Sequence, residues 1–174
     1  MLLENEKITM VFREVYPGLC RFLENIVGRD RLAQDLAQES FLRLCRAELG
    51  PIPHDEIRFW LYRVARNLAL NELGRSRTRT KFWRRLVDFL AADEPDPERK
   101  MIADESRRIV RRLLERLPET RRSALLLREQ EEMSYREIAL VLDVSESKVR
   151  VDIFRARQEL RKMWFEEENK SVLE

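Results

Sequence analysis

The stretch Ser134-Tyr135-Arg136-Glu137-Ile138-Ala139-Leu140-Val141-Leu142-Asp143-Val144-Ser145-Glu146-Ser147-Lys148-Val149-Arg150-Val151-Asp152-Ile153-Phe154-Arg155-Ala156-Arg157 decides the fold. Ser134 and Glu137 have the spacing of a capping box. The hydroxyl can accept from an amide one turn in, while the carboxylate reaches back to the N–H of the cap. The helix they open turns Ile138, Ala139 and Leu142 inward, and small Ala139 admits a second helix at close range. Leu142-Asp143-Val144 reads as a tight turn, with Asp143 best suited to a left-handed backbone. Ser145 can cap the next helix, whose Val149 and Ile153, four apart, dock on the first. Cap, small, turn and docking residues at these offsets make a helix-turn-helix.

The second helix leaves Ser147, Lys148, Arg150, Val151, Phe154, Arg155 and Arg157 on its other sides. Arginine can meet guanine through two bonds, and flanking cations neutralise phosphate. Lys148, Arg150, Val151, Phe154, Arg155 and Arg157 are therefore the candidate DNA contacts of a recognition helix in the major groove. The competing reading is an ordinary helical hairpin with a basic exposed face.

Moving toward the N-terminus, Pro118 suits the first position of a helix that carries Ala124 to Leu127. Ile109, Leu113 and Leu117 repeat every four residues and mark another helix, with arginines on its solvated side. Pro95 and Pro97 within the acidic run Ala91 to Glu98 resist continuous helix. They predict a flexible linker over 83–105 between a domain at 1–82 and a second at 106–174. From Arg58 to Arg85 nine Lys or Arg face only Glu72, so the first domain ends in a strongly basic stretch. Helices are expected from about 7 to 27, from Asp30 into the 40s, and from an Asp55 cap to a stop at Gly74. The core set includes Val11, Phe12, Val15, Leu19, Phe22, Phe41, Leu42, Leu61 and Val64.

Composition removes other classes. The 174 residues carry 38% charged and 44% apolar side chains, enough for compact helical modules but thin for one large core. The net charge of only +2 means that a charged partner must meet a local patch. Four glycines leave little for phosphate-cradling loops, and one histidine argues against a zinc site or a His-based triad. Cys20 and Cys45 are too far apart for a CxxC motif and read as buried, reduced core thiols. His54 follows Pro51-Ile52-Pro53 and takes no metal role. The N-terminus lacks a basic segment followed by an apolar one, and no stretch is long enough to cross a bilayer. The expectation is an all-α cytoplasmic protein without membrane insertion, metal or cofactor, and not an enzyme.

Two further strings add specificity. In Asp35-Leu36-Ala37-Gln38-Glu39, the residues Asp35, Gln38 and Glu39 share one helical face and make a small acidic patch. Phe59-Trp60-Leu61-Tyr62-Arg63-Val64-Ala65-Arg66-Asn67-Leu68-Ala69-Leu70-Asn71 interleaves aromatics, arginines and asparagines on one helix. Such a helix suits single-stranded nucleic acid, whose bases can leave the stack and rest on a ring.

With these strings in order, the chain resembles a bacterial RNA polymerase sigma factor of the sigma-70 superfamily, in its extracytoplasmic-function (group IV) class. The resemblance spans Asp-Leu-x-Gln-Glu at 35–39, Trp-Leu-Tyr-Arg-x-Ala-Arg-Asn at 60–67, Leu117-Pro118, Ser134 to Ala139 and Phe154-Arg155-Ala156-Arg157. It implies two small helical domains, a region 2 bundle and a region 4 helix-turn-helix, joined by a flexible linker. It implies that Asp35, Gln38 and Glu39 dock on the β′ clamp helices of core RNA polymerase. It further implies that the 50–57 loop with Tyr62, Arg63, Arg66, Asn67 and Asn71 captures and melts the promoter −10 element. Region 4 would read the double-stranded −35 element and bind the β flap, and an anti-sigma factor would hold the protein inactive.

Three positions depart from the family pattern. Glu132-Met133 replaces a glycine-containing approach to the helix-turn-helix, which suggests a longer preceding helix. Ser147-Lys148 replaces glycine-threonine at the start of the recognition helix. Asp152 stands where a basic or neutral residue is common, so it would repel a nearby phosphate. A free-standing dimeric regulator and a helical adaptor without nucleic acid remain the alternatives at this stage.

Overall fold

A left-handed Gly28 (φ 71°) turns the chain from α1 (Leu2–Val27) into α2 (Asp30–Arg46). The computed structural model describes residues 2–47, 53–90 and 101–171. After α3 (His54–Leu90) come α4 (Met101–Glu115), α5 (Glu119–Glu129), α6 (Tyr135–Leu142) and α7 (Glu146–Ser171). Every regular element among the described residues is a helix, and the fold is all-α, as the periodicity requires.

The first three helices pack on one another through Val11, Val15, Leu19, Phe22, Leu23 and Ile26 of α1, Phe41 and Leu44 of α2, and Ile57 and Leu61 of α3. Ala33 and Ala37, with Ala65 and Ala69, are fully buried four residues apart, so the helices can approach closely at these points. The last four helices enclose Leu113, Leu117, Leu125 to Leu127, Ile138, Val141, Val149 and Ile153. Burying one such side chain contributes about 1.5–3 kcal/mol.

Several boundaries differ from the sequence expectation. α3 does not stop at Gly74 but runs through it to Leu90, and it opens at His54 rather than beyond an Asp55 cap. The segment expected as linker is therefore helical from 83 to 90 and again from Met101; its centre, 91–100, lies outside the described residues. Of the 50–57 loop, residues 50–52 do too, and from His54 on it belongs to α3. Pro118 is the cap of α5 rather than its first helical residue. Phe12 and Leu42 are exposed at 41% and 49% instead of lying in the core. Cys45 is also exposed, and only Cys20 is half-buried.

The two helical groups also meet each other. α1 lies against α4 and α5, and α3 lies against α6. Gly18 leaves room for one such contact. A Cβ there would sit 2.6 Å from a Glu131 carboxylate oxygen and 2.7 Å from the Tyr62 hydroxyl.

Candidate nucleic-acid and partner interfaces

The capping box forms as its spacing requires. Glu137 N–H donates to Ser134 Oγ at 3.3 Å, and Ser134 N–H donates to the Glu137 carboxylate at 2.5 Å. Asp143 ends α6 with φ 55° and ψ 51°, the left-handed conformation its short polar side chain tolerates. Ser145 then accepts from Lys148 N–H at 3.2 Å at the start of α7.

Val149, Ile153 and Ala156 bury one side of α7. Lys148, Arg150, Val151, Phe154, Arg155 and Arg157 stand exposed, Phe154 at 60%. Their side chains are not equally available. The Arg150 guanidinium lies 5.0 Å from the Tyr135 ring centroid, with Glu146 3.6 Å away, and Arg128 approaches the same ring at 5.3 Å. Arg157 donates to Glu129 at 2.5 Å. Lys148 Nζ is drawn to Asp152 at 2.6 Å.

Asp152 does not confront an approaching phosphate. It is buried on the inner side of α7, with Lys148 on one oxygen and Arg121 3.8 Å from the other. Its charge is offset inside the module. The lead-in to the motif is not a longer helix either: α5 ends at Glu129 and Glu132 takes a left-handed φ of 54°. Met133, fully buried behind it, closes the turn through its N–H to Leu127 O at 3.1 Å, and its carbonyl accepts from Arg128 at 2.8 Å.

On α2, Asp35 and Gln38 are exposed, and Glu39 is half-buried beside Arg43, whose Nε donates to it at 2.9 Å. Leu42 continues the same face at i+4 and i+3 from Gln38 and Glu39. Nearby, Phe12 stacks on Tyr16 at 4.5 Å and meets Phe41 edge-on at 5.0 Å. The acidic patch thus has an apolar margin.

α3 is arranged differently. Asn67 and Asn71 are exposed, but Tyr62 is fully buried and cannot receive a base in this state. Its hydroxyl donates to Glu131 at 2.5 Å. Burial first, and then the Glu131 carboxylate, push that hydroxyl well above the ordinary phenol range, so it stays protonated as the donor. Arg66 meets Glu119 with two parallel bonds, 2.7 and 2.6 Å. Arg63 donates to the Leu140 carbonyl, and Arg58 donates to the Glu131 carbonyl at 2.8 Å.

Residues 11–80 match the sigma-70 region 2 family, and residues 107–160 match the sigma-70, region 4 family. The chain is 40% identical over 139 residues to the RNA polymerase sigma-H factor of Pseudomonas aeruginosa, covering 75% of this chain and 72% of that protein. It is 38% identical over 138 residues to the ECF RNA polymerase sigma-E factor of Escherichia coli, covering 71% and 69%. The chain belongs to the sigma-70 family, in its extracytoplasmic-function class. As a sigma factor it binds core RNA polymerase and directs initiation at promoters carrying −10 and −35 elements. The fold also resembles the sigma factor RpoE crystallised with the anti-sigma factor NepR from Bartonella quintana. That likeness has a TM-score of 0.61 at 18% identity and covers 90% of this chain and 95% of that one.

The sigma factor carries contacts that local sequence pattern does not announce. Glu119 on α5 and Glu131 in the turn that follows it pair with α3, across 53 and 69 residues. Arg122 is buried, and that burial lowers its pKa against the opposing pull of Glu119 and Glu115. Tyr135 touches both Arg128 and Arg150, where the sequence shows only the residue after a cap. No grouping of His, Cys, Asp and Glu among the described residues could hold a metal, and none of their helices is long and apolar enough to cross a membrane.

Proposed function

We propose that this sigma factor holds core polymerase through Asp35, Gln38 and Glu39 on the β′ clamp helices, with Leu42 and Phe12 supplying apolar contact beside the charge. Tyr62, Arg63, Arg66, Asn67 and Asn71 then take the −10 element as it melts, and Lys148, Arg150, Val151, Phe154, Arg155 and Arg157 read the −35 element. Flipping a base costs a few kcal/mol, which a shaped pocket and nearby cations offset without ATP. On this reading 1–82 is the region 2 domain and 106–174 the region 4 domain, which also meets the β flap.

The observation that carries the reading is the division of α7. Val149, Ile153 and Ala156 fill the core, while Arg150, Val151, Phe154 and Arg155 remain outside. A hairpin serving only the fold gains nothing from an exposed phenylalanine between arginines. In a major groove that combination meets thymine methyls, guanine edges and phosphates at once. The protein performs no covalent chemistry of its own and works in the cytoplasm, where the polymerase and its template are.

The test is to mix the purified protein with sigma-free core polymerase and follow co-elution, then footprint the complex on promoter DNA. A one-to-one complex that protects two dissimilar elements is expected. Protection of a palindrome by the protein alone would overturn the assignment in favour of a dimeric regulator. An anti-sigma factor is the proposed inhibitor, since two facing modules offer one binder both functional surfaces. Full constitutive activity with no stoichiometric inhibitor recovered from cells would remove that partner.

A further inference from the structure

Of Lys148, Arg150, Arg155 and Arg157, the four cations assigned to the −35 element, three carry a carboxylate among the described residues. Lys148 has Asp152, Arg150 has Glu146, and Arg157 has Glu129. Two of these acids are themselves exposed, the Glu146 side chain at 45% and that of Glu129 at 53%, so salt screens them and either can swing away. Asp152 differs. Its side chain is 7% exposed, and one of its oxygens accepts from Lys148 Nζ at 2.6 Å. Arg121 of α5 stands 3.8 Å from the other oxygen and also donates to Glu159, further along α7. Fixed on the inner side of the helix, this carboxylate cannot release Lys148 by turning into water. We infer that Asp152 is a positioning residue that holds the Lys148 ammonium back from the DNA backbone, so that α7 binds duplex DNA with one phosphate contact fewer than its exposed lysine would supply.

Asp152 has this role only if α7 lies in the major groove, as the proposed function requires, and it narrows what Lys148 does there. Lys148 N–H bonds to the Ser145 cap, so the residue belongs to the first turn of α7, the positive end of the helix, where a cation is disfavoured. A basic residue that precedes its acid by four positions is also the weaker order for a helical pair, whereas Glu146 and Arg150 have the stronger one. Helix stability therefore does not account for the Lys148–Asp152 pair. A free lysine at this place would neutralise a phosphate and release its counterion, but one already matched by a buried acid has little to release. The share of DNA affinity that is independent of sequence falls accordingly, and the base contacts of Arg150, Val151, Phe154 and Arg155 carry more of the whole.

The test uses the full-length chain and a labelled random-sequence duplex, titrated over a range of salt concentrations, with circular dichroism to check that each variant is folded. Asp152→Asn keeps the shape of the side chain and leaves Arg121 with Glu159. It should tighten binding roughly fivefold at about 0.15 M salt and steepen the fall of log K with log salt by about 0.9, as one more phosphate contact does. Glu166→Gln removes the same charge from an exposed position near the far end of α7 and should change neither quantity comparably. With Lys148→Ala added, the effect of Asp152→Asn should vanish. No gain from Asp152→Asn, or a gain that persists without Lys148, would overturn the inference. If Asp152→Asn unfolds the protein, Lys148→Ala in the otherwise unaltered chain decides. A loss of salt dependence as large as that from Arg155→Ala would overturn the withdrawal of Lys148, and a much smaller loss would uphold it. Binding indifferent to Arg155→Ala would instead refute the placement of α7 on DNA, and the role of Asp152 with it.

Discussion

Arg66 on α3 and Arg150 on α7 are both arginines proposed to meet a promoter, but the protein holds them in different ways. Arg66 is saturated by Glu119 and largely removed from water, whereas Arg150 stays exposed, steadied by the Tyr135 ring and by Glu146 at 3.6 Å. One cation has a competing ligand, and the other has a support. The difference suits the nucleic acids that each would read. Duplex DNA can be read by a surface prepared in advance, whereas a melted strand exists only after polymerase has engaged. Cationic contacts to phosphate are largely independent of sequence, so an arginine already held by a carboxylate is the less open of the two to unspecific binding.

The largest effect that bears on this comparison lies on neither arginine. Reversing charge at Asp35 and Glu39 should abolish co-elution with core polymerase, leaving the −35 helix able to bind DNA but useless for initiation. Retained co-elution would show that α2 is not the docking face. Arg150→Ala should then weaken selectivity at its base pair by about 1–3 kcal/mol, as loss of a bidentate base contact does, while core binding stays unchanged. Competition binding with single-base variants of the −35 element measures this, and equal loss at every position would mean that Arg150 contacts only phosphate.

Ser134→Ala removes one half of the capping box and should cost about 1 kcal/mol, or roughly 4–8 °C of melting temperature for a module of this size. Thermal unfolding followed by circular dichroism would register it. A shift below a degree would show that the cap adds nothing to a motif held by its core. The smallest effect sharpens the comparison most. Tyr135→Phe should leave −35 selectivity intact because the ring remains, whereas Tyr135→Leu should relax it by about 0.5–1 kcal/mol through loss of the stacked guanidinium. If Leu and Phe behave alike, Arg150 needs no support from Tyr135.

What could be read in advance was what neighbouring residues decide. The capping box, the left-handed Asp143 and the inward positions of α6 and α7 all follow from offsets of four residues or fewer. Gly74 misled because glycine costs a helix only about 1 kcal/mol, which the residues on either side overcome. Glu132 accepted a backbone conformation that composition would give to glycine, fixed by the buried Met133 that follows. Asp152 turned inward because Arg121, on another helix, waits there. Tyr62 was hidden by Glu131, 69 residues away. In the last two cases the deciding partner was distant in sequence, and no local periodicity encodes a distant partner.

The helical span of α3 has a consequence for how little energy the intramolecular contact requires. Because α3 reaches Leu90 and α4 begins at Met101, only the ten residues 91–100 separate the two helices. Each residue can add no more than about 3.3–3.6 Å of reach. A tether this short confines one module to a small volume around the other, at an effective concentration in the millimolar range. A contact too weak to hold separate molecules together can thereby form within one chain, and diluting the protein does nothing to reverse it. The length of the joint, as much as the chemistry of the contact, sets how firmly the two helical groups stay together.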